Sequence, residues 1–106
     1  MACHVLFLKN EEEFFGLLQN RDSELILKMC KSILMAIRHK RKKIDIFDIT
    51  FKDTSGMVFT TDEDQYITIL KNCFTDMEVI EEYELCAEMK KVIDRAAKQK
   101  QPRKQK

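Results

Sequence analysis

The stretch TDEDQYITILKNCFTDMEVIEEYELCAEMKKVIDRAA, Thr61–Ala97, decides how the rest of the chain must fold. It opens like a helix. Thr61 is a favoured N-cap residue, and Asp62, Glu63 and Asp64 would place carboxylates at the positive end of the helix dipole. Tyr66, Leu70, Cys73, Met77 and Ile80 then recur at steps of four, three, four and three, which is one helical face. Ile67, Ile69 and Phe74 widen it. A second periodic run follows in Leu85, Met89, Val92 and Ala96, flanked by Cys86 and Ile93. Neither Gly nor Pro marks a turn between the two runs. The break can fall at Val79–Glu82, or at Phe74 if Thr75 and Glu78 form a capping box. A single long helix is the third arrangement. The first predicts two helices folded back on each other, with Leu70, Cys73, Met77, Leu85, Met89 and Val92 mutually buried.

Residues 82–94 of this stretch resemble the second helix of the UVR motif, a helical hairpin of excision-repair and protease-adaptor proteins. Tyr83, Glu84, Ala87 and Ile93 match its acidic-aromatic-Glu-x-Ala-Ala-x-x-Arg-Asp-x-Ile pattern. Cys86 stands in place of the first Ala, and Lys90-Lys91 in place of Arg-Asp. The resemblance covers about a third of the chain, residues 63–97. It implies a protein-docking hairpin and no catalytic site.

Upstream segments read as the remaining pieces of one small domain. Val5–Leu8 is an apolar stub, either a short strand or the lead-in to a helix. Asn10 with Glu13 is a capping box for a short helix carrying Phe14, Phe15, Leu17 and Leu18, weakened by Gly16. Asp22 or Ser23 caps a longer helix over 23–41, whose inner stripe is Ile26, Met29, Cys30, Ile33, Leu34 and Ile37. Residues 44–51 are β-branched and aromatic, and their alternation changes phase at Ile46–Phe47. That change predicts a bulge or burial on both faces. Gly56 allows a turn, and 57–60 returns as a second strand. The expected fold is therefore α+β and mostly helical: about four helices packed with one β-hairpin (44–60), in the order α-α-β-β-α-α. One domain spans 1–97, and 98–106 is a basic tail expected to be disordered.

Composition bounds the function. The 106 residues carry a net charge of +1, with 44% hydrophobic and 35% charged side chains, 2 Gly and 1 Pro. This is the profile of a single globular domain with few tight turns. No apolar run reaches membrane-spanning length, and no signal-peptide pattern is present. Cys3, Cys30, Cys73 and Cys86 are spread widely, mostly on apolar faces. That usage fits thiols acting as small hydrophobes in a reducing, cytoplasmic compartment, with Cys73 and Cys86 close across the hairpin.

The charge is uneven. Residues 38–43 carry five positive charges and 95–106 carry six, whereas 44–94 hold 13 acidic and 4 basic side chains.

Chemistry-bearing patterns are sparse. Cys and His lie at 3, 4, 30, 39, 73 and 86, without the close pairs of a structural zinc site. No glycine-rich phosphate loop or paired acid and base stands out, so neither a catalytic residue nor a cofactor is expected. The expectation is a non-enzymatic regulatory or adaptor protein docking to a larger protein, of the size of a viral or mobile-element regulator. Homodimerisation is an open alternative. The expected docking patch is Phe14, Phe15 and Phe47, because these aromatics compete for one small interior and aromatics dominate interface hot spots. The rival expectation is sequence-blind nucleic-acid binding by Arg38, Lys40, Arg41, Lys42 and Lys43, assisted by the tail. In a eukaryotic host the same run could act as a nuclear address. Against both stands a plain solvated helix end, where cations favour the dipole.

Overall fold

A computed structural model describes residues 4–52 and 55–100. Three strands and four helices follow in the order β1 (His4–Leu8), α1 (Glu11–Gln19), α2 (Ser23–Arg38), β2 (Lys43–Phe51), β3 (Met57–Asp62), α3 (Glu63–Val79) and α4 (Tyr83–Lys100). The strands form one mixed sheet in the order β1-β2-β3. This corrects the expected α-α-β-β-α-α order and two-stranded hairpin. The N-terminal stub is a full strand running parallel to β2, with His4 opposite Phe47 and Leu8 opposite Phe51. A parallel strand has no adjoining turn, and its partner lies beyond two helices, so short-range pattern does not reveal it.

The change of phase in β2 is a bulge. Asp45 pairs with Thr60 and Phe47 with Phe59, leaving Ile46 as an extra residue. The bulge turns Ile46 and Phe47 toward the same interior, where both are completely buried. Leu6, Leu8, Ile49, Phe51, Met57 and Phe59 line the same face and meet the helices. Phe14 reaches down from α1 to Phe47 and Phe59, edge-on, with centroids 6.2 and 5.6 Å away. Gly56 allows close approach at the head of β3, since a Cβ there would collide with the Ile49 carbonyl oxygen.

Caps fix the helix starts. The Asn10 side chain accepts from the Glu13 amide at 3.0 Å, while Glu13 Oε1 accepts from the Lys9 amide at 2.7 Å. The reciprocal half of the box thus reaches one residue further back than usual. Asp22, not Ser23, caps α2 by accepting from Leu25 N. Asp62, not Thr61, caps α3 by accepting from Asp64 N. Thr61 is still in β3, opposite Ile44.

The helix ends share one device. Arg21, Lys40 and Glu81 have φ of 52°, 58° and 63°. Around each, two amide bonds run back into the last turn: Arg21 to Leu18 and Asp22 to Leu17; Lys40 to Ile37 and Arg41 to Ala36; Glu81 to Glu78 and Glu82 to Met77. These are Schellman closures made without glycine. They end α2 three residues before the expected 41, and they place the last turn at Ile80–Glu82. The α3–α4 pair is therefore a hairpin.

Leu70, Cys73, Met77, Leu85 and Met89 are buried as expected, and Val92 is half-buried at the seam. Each such side chain taken fully from water contributes about 1.5–3 kcal/mol. Arg21 ties the α1–α2 turn to α3: its Nε donates to Asp76 Oδ2 at 2.8 Å and its terminal nitrogen to the Asn72 carbonyl at 2.9 Å. The Tyr66 hydroxyl donates to the Arg41 carbonyl at 2.8 Å from the other end of α3. So α3 runs antiparallel to α2. The helix α4 continues past the expected boundary at 97 to Lys100; the rest of the basic tail, 101–106, lies outside the described residues. No described helix is long and apolar enough to cross a membrane.

Candidate functional site

The expected aromatic patch does not assemble. Phe14 and Phe47 are 0% exposed and form the centre of the core. Of the three, Phe15 alone is on the surface, at 49% exposure. The interior is large enough to take both rings because the bulge in β2 and the extra strand β1 widen it.

Two other surfaces stand out. The first is the face of the sheet turned away from the helices. Strand alternation puts His4, Leu6 and Leu8 inward and Val5 and Phe7 outward. Val5 is paired with Asp48 and Phe7 with Thr50, and across β2 Asp48 is paired with Val58. Val5, Phe7 and Val58 are 55%, 77% and 49% exposed. Val5-Leu6-Phe7-Leu8 is apolar at every position, so once it is a strand it must carry apolar side chains on both faces; that was the signal in the sequence.

The second surface is basic. The end of α2 and the loop 39–42 lie against the second half of α4. Lys40, Arg41 and Lys42 line a hollow of about 470 Å³ with Arg95, over a floor that includes Ile37, Ile67, Val92 and Ala96. A second hollow of about 360 Å³ adjoins it, sharing Ile37, Lys40, Val92 and Arg95 and adding Arg38 and Lys91. Together they make one groove along the α2–α4 seam. Lys43 lies just outside it, at the start of β2. Arg38 is held by Glu88 at 3.4 Å, an exposed pair worth about 0–1 kcal/mol.

The loop that carries these cations is fixed from three directions. The Schellman closure holds Lys40 and Arg41. Tyr66, buried to 3% exposure, holds the Arg41 carbonyl, and the Glu63 amide donates to the Lys42 carbonyl at 2.8 Å. Burial pushes the Tyr66 phenol above its ordinary value, and Glu63 and Asp62 add to the rise, so it stays a neutral donor. Lys91 and Arg95 were missed as partners of the basic run. Their spacing with Lys98, at four and three residues, puts all three on one helix face, which is the signal that was available.

Cys86 Sγ reaches the Phe74 carbonyl at 3.9 Å, one residue beyond Cys73 across the hairpin, and Cys73 also meets Cys30 of α2 across the core. Cys30, Cys73 and Cys86 are free and buried; Cys3 lies outside the described residues. The hydrogen bond from Cys30 lowers the Cys73 thiol despite burial, and the Arg21 guanidinium, 3.9 Å away, adds to this. The same bond, with burial, raises Cys30. Among the described residues no group of His, Cys, Asp and Glu is arranged to hold a metal ion.

Compared with family models, with curated proteins and with solved structures, the chain matches none.

Proposed function

We propose that this chain is a non-enzymatic adaptor that docks another protein against the open face of its sheet. The observation that supports it is the one-sided cover. α1, α2 and α3 cover one face of the sheet, with α4 packed against α2 and α3, leaving Val5, Phe7 and Val58 on the other face. A set of half-exposed branched and aromatic side chains on a hydrogen-bonded sheet is the kind of apolar patch that marks an interaction site. Phe7 is its natural anchor, being the most exposed large apolar side chain among the described residues. The partner would present an apolar surface to this patch and polar groups to Asp48, Thr50 and Thr60. The hairpin of α3 and α4 then acts as a brace for the sheet.

The test begins with sedimentation of the wild type, which separates self-association from docking to a different protein. A pulldown with wild type and with Phe7→Ser/Val58→Ser follows. The reading expects a partner retained reproducibly by wild type and lost by the variant, with the circular dichroism spectrum unchanged. A partner retained equally by both, or none retained by wild type, would overturn it.

A further inference from the structure

We infer that the groove between the end of α2 and α4 binds the phosphate backbone of a single-stranded nucleic acid, without reading its sequence. This rests on a different face from the docking surface and does not depend on it.

The first reason is the arrangement of cations. Lys40, Arg41 and Lys42 stand on one wall and Lys91 and Arg95 on the other, all exposed. Among the described residues none of the five takes part in an ion pair. Separate sequence segments have been folded into one predominantly positive furrow, with Lys and Arg on both walls, so a chain of regularly spaced anions meets cations from two sides. The second reason is rigidity. Loop 40–42 is pinned by its backbone bonds, by Tyr66 and by the Glu63 amide, so the wall is already formed before a ligand arrives.

The third reason is the exclusion of other occupants. Protein interface cores are depleted of lysine, and this groove has lysine on both walls. Its floor is half-buried aliphatic surface with no exposed aromatic ring among the described residues that line it, so bases have nothing to stack on, and recognition stays with phosphates. Hollows of about 470 and 360 Å³ have the size of small-ligand clefts, which suits a single backbone better than the width of a duplex. Glu63 and Glu88 line the hollows too and set an upper bound on affinity through repulsion.

Five phosphate contacts to a single strand give a salt slope of about −3.5, so affinity falls about 10²-fold between 50 and 200 mM salt. Fluorescence anisotropy of a labelled oligothymidylate of about 20 nucleotides, titrated with the full chain, measures it. Lys91→Glu/Arg95→Glu should weaken binding about tenfold or more and flatten the slope by about 1.4. Both positions are exposed, so the fold should survive, as checked by thermal melting. Lys52→Glu/Lys71→Glu makes the same change in net charge outside the groove and should leave binding nearly unchanged.

Absence of binding by wild type at 50 mM salt would overturn the inference. So would equal weakening by the two double variants, which would reduce the effect to net charge. Competition by polyglutamate as strong as by oligonucleotide at equal charge would assign the groove to acidic protein segments instead. A duplex binding more tightly than the single strand would also refute the furrow argument. Phe7→Ser/Val58→Ser should bind the oligonucleotide like wild type, so this inference and the docking surface fail separately.

Discussion

Replacing Glu81 by glycine should stabilise the protein, and the sign of the effect tests the whole C-terminal half. Glu81 joins α3 to α4 with φ of 63°, and the amides of Glu81 and Glu82 close back on Glu78 and Met77, each at 3.0 Å. An L-residue held there bears about 1–2 kcal/mol of strain between its Cβ and the backbone. Glycine removes that strain but gives the unfolded chain more freedom, at about 0.5–1 kcal/mol. The net gain is about 0.5–1 kcal/mol. Glu81 also carries charge beside Glu78, Glu82 and Glu84, so Glu81→Ala is the proper reference. It removes the same charge and keeps the strain. Equilibrium unfolding in urea reads the difference. With a slope of about 1–2 kcal/mol per molar for a chain of this size, the glycine variant should unfold about 0.3–1 M later than the alanine variant. If α3 and α4 were one continuous helix, glycine at 81 would instead cost about 1 kcal/mol relative to alanine. A glycine variant less stable than the alanine one therefore refutes the hairpin.

The two native glycines should respond in opposite directions. Gly16 lies within α1, and a Cβ added there would meet nothing within 4 Å, so Gly16→Ala should add about 0.5–1 kcal/mol in the same urea assay. Gly56→Ala drives a methyl into the Ile49 carbonyl and should cost about 1–3 kcal/mol. Leu70 is 0% exposed, so Leu70→Asp puts an unpaired carboxylate into the core and should abolish the cooperative thermal transition. His4 gives a pH signature. Burial, and the positive charge of Lys28 and Lys31, hold its folded pKa below the ordinary 6.5. The unfolded chain therefore binds the proton more readily, and stability is full above pH 6.5 and declines as pH falls through that value toward the folded one. His4→Gln should remove this slope between pH 6.5 and 5, where the ordinary carboxylates are still ionised.

The helices were legible because their signals are local. Asn10 and Asp22 each bond an amide three residues on, and the 3.6-residue stripes of α2 and α3 fall on the faces that are buried. The bulge at Ile46 was legible too, as a broken alternation. What stayed hidden depends on distant pairing or on rare backbone states. Val5–Leu8 becomes a strand because 43–51 is there to receive it. The turns at Arg21, Lys40 and Glu81 use left-handed residues that are not glycine, and no composition rule marks them. Phe14 and Phe47 fit inside because the third strand enlarges the interior beyond what the two-stranded hairpin implies. The basic groove was half visible: the run at 38–43 is plain, but its second wall is supplied by a helix that begins about 40 residues later.

The parallel pairing of β1 has a consequence for the order of assembly. His4 meets Phe47 and Leu8 meets Phe51, so this ladder closes a loop of about 40 residues, whereas β2 and β3 close across a short turn. Long loops are slower and entropically dearer to close than short ones. During synthesis the N-terminal strand emerges first, yet its acceptor strand arrives only after both α1 and α2. Until β2 emerges β1 has no strand to pair with, whereas β3, α3 and α4 each meet near neighbours as they are made. In that interval both faces of Val5-Leu6-Phe7-Leu8 are open, the inward pair as well as the outward one. Within this domain β1 thus waits longest for its strand partner, and it is open to capture by other chains until β2 is in place.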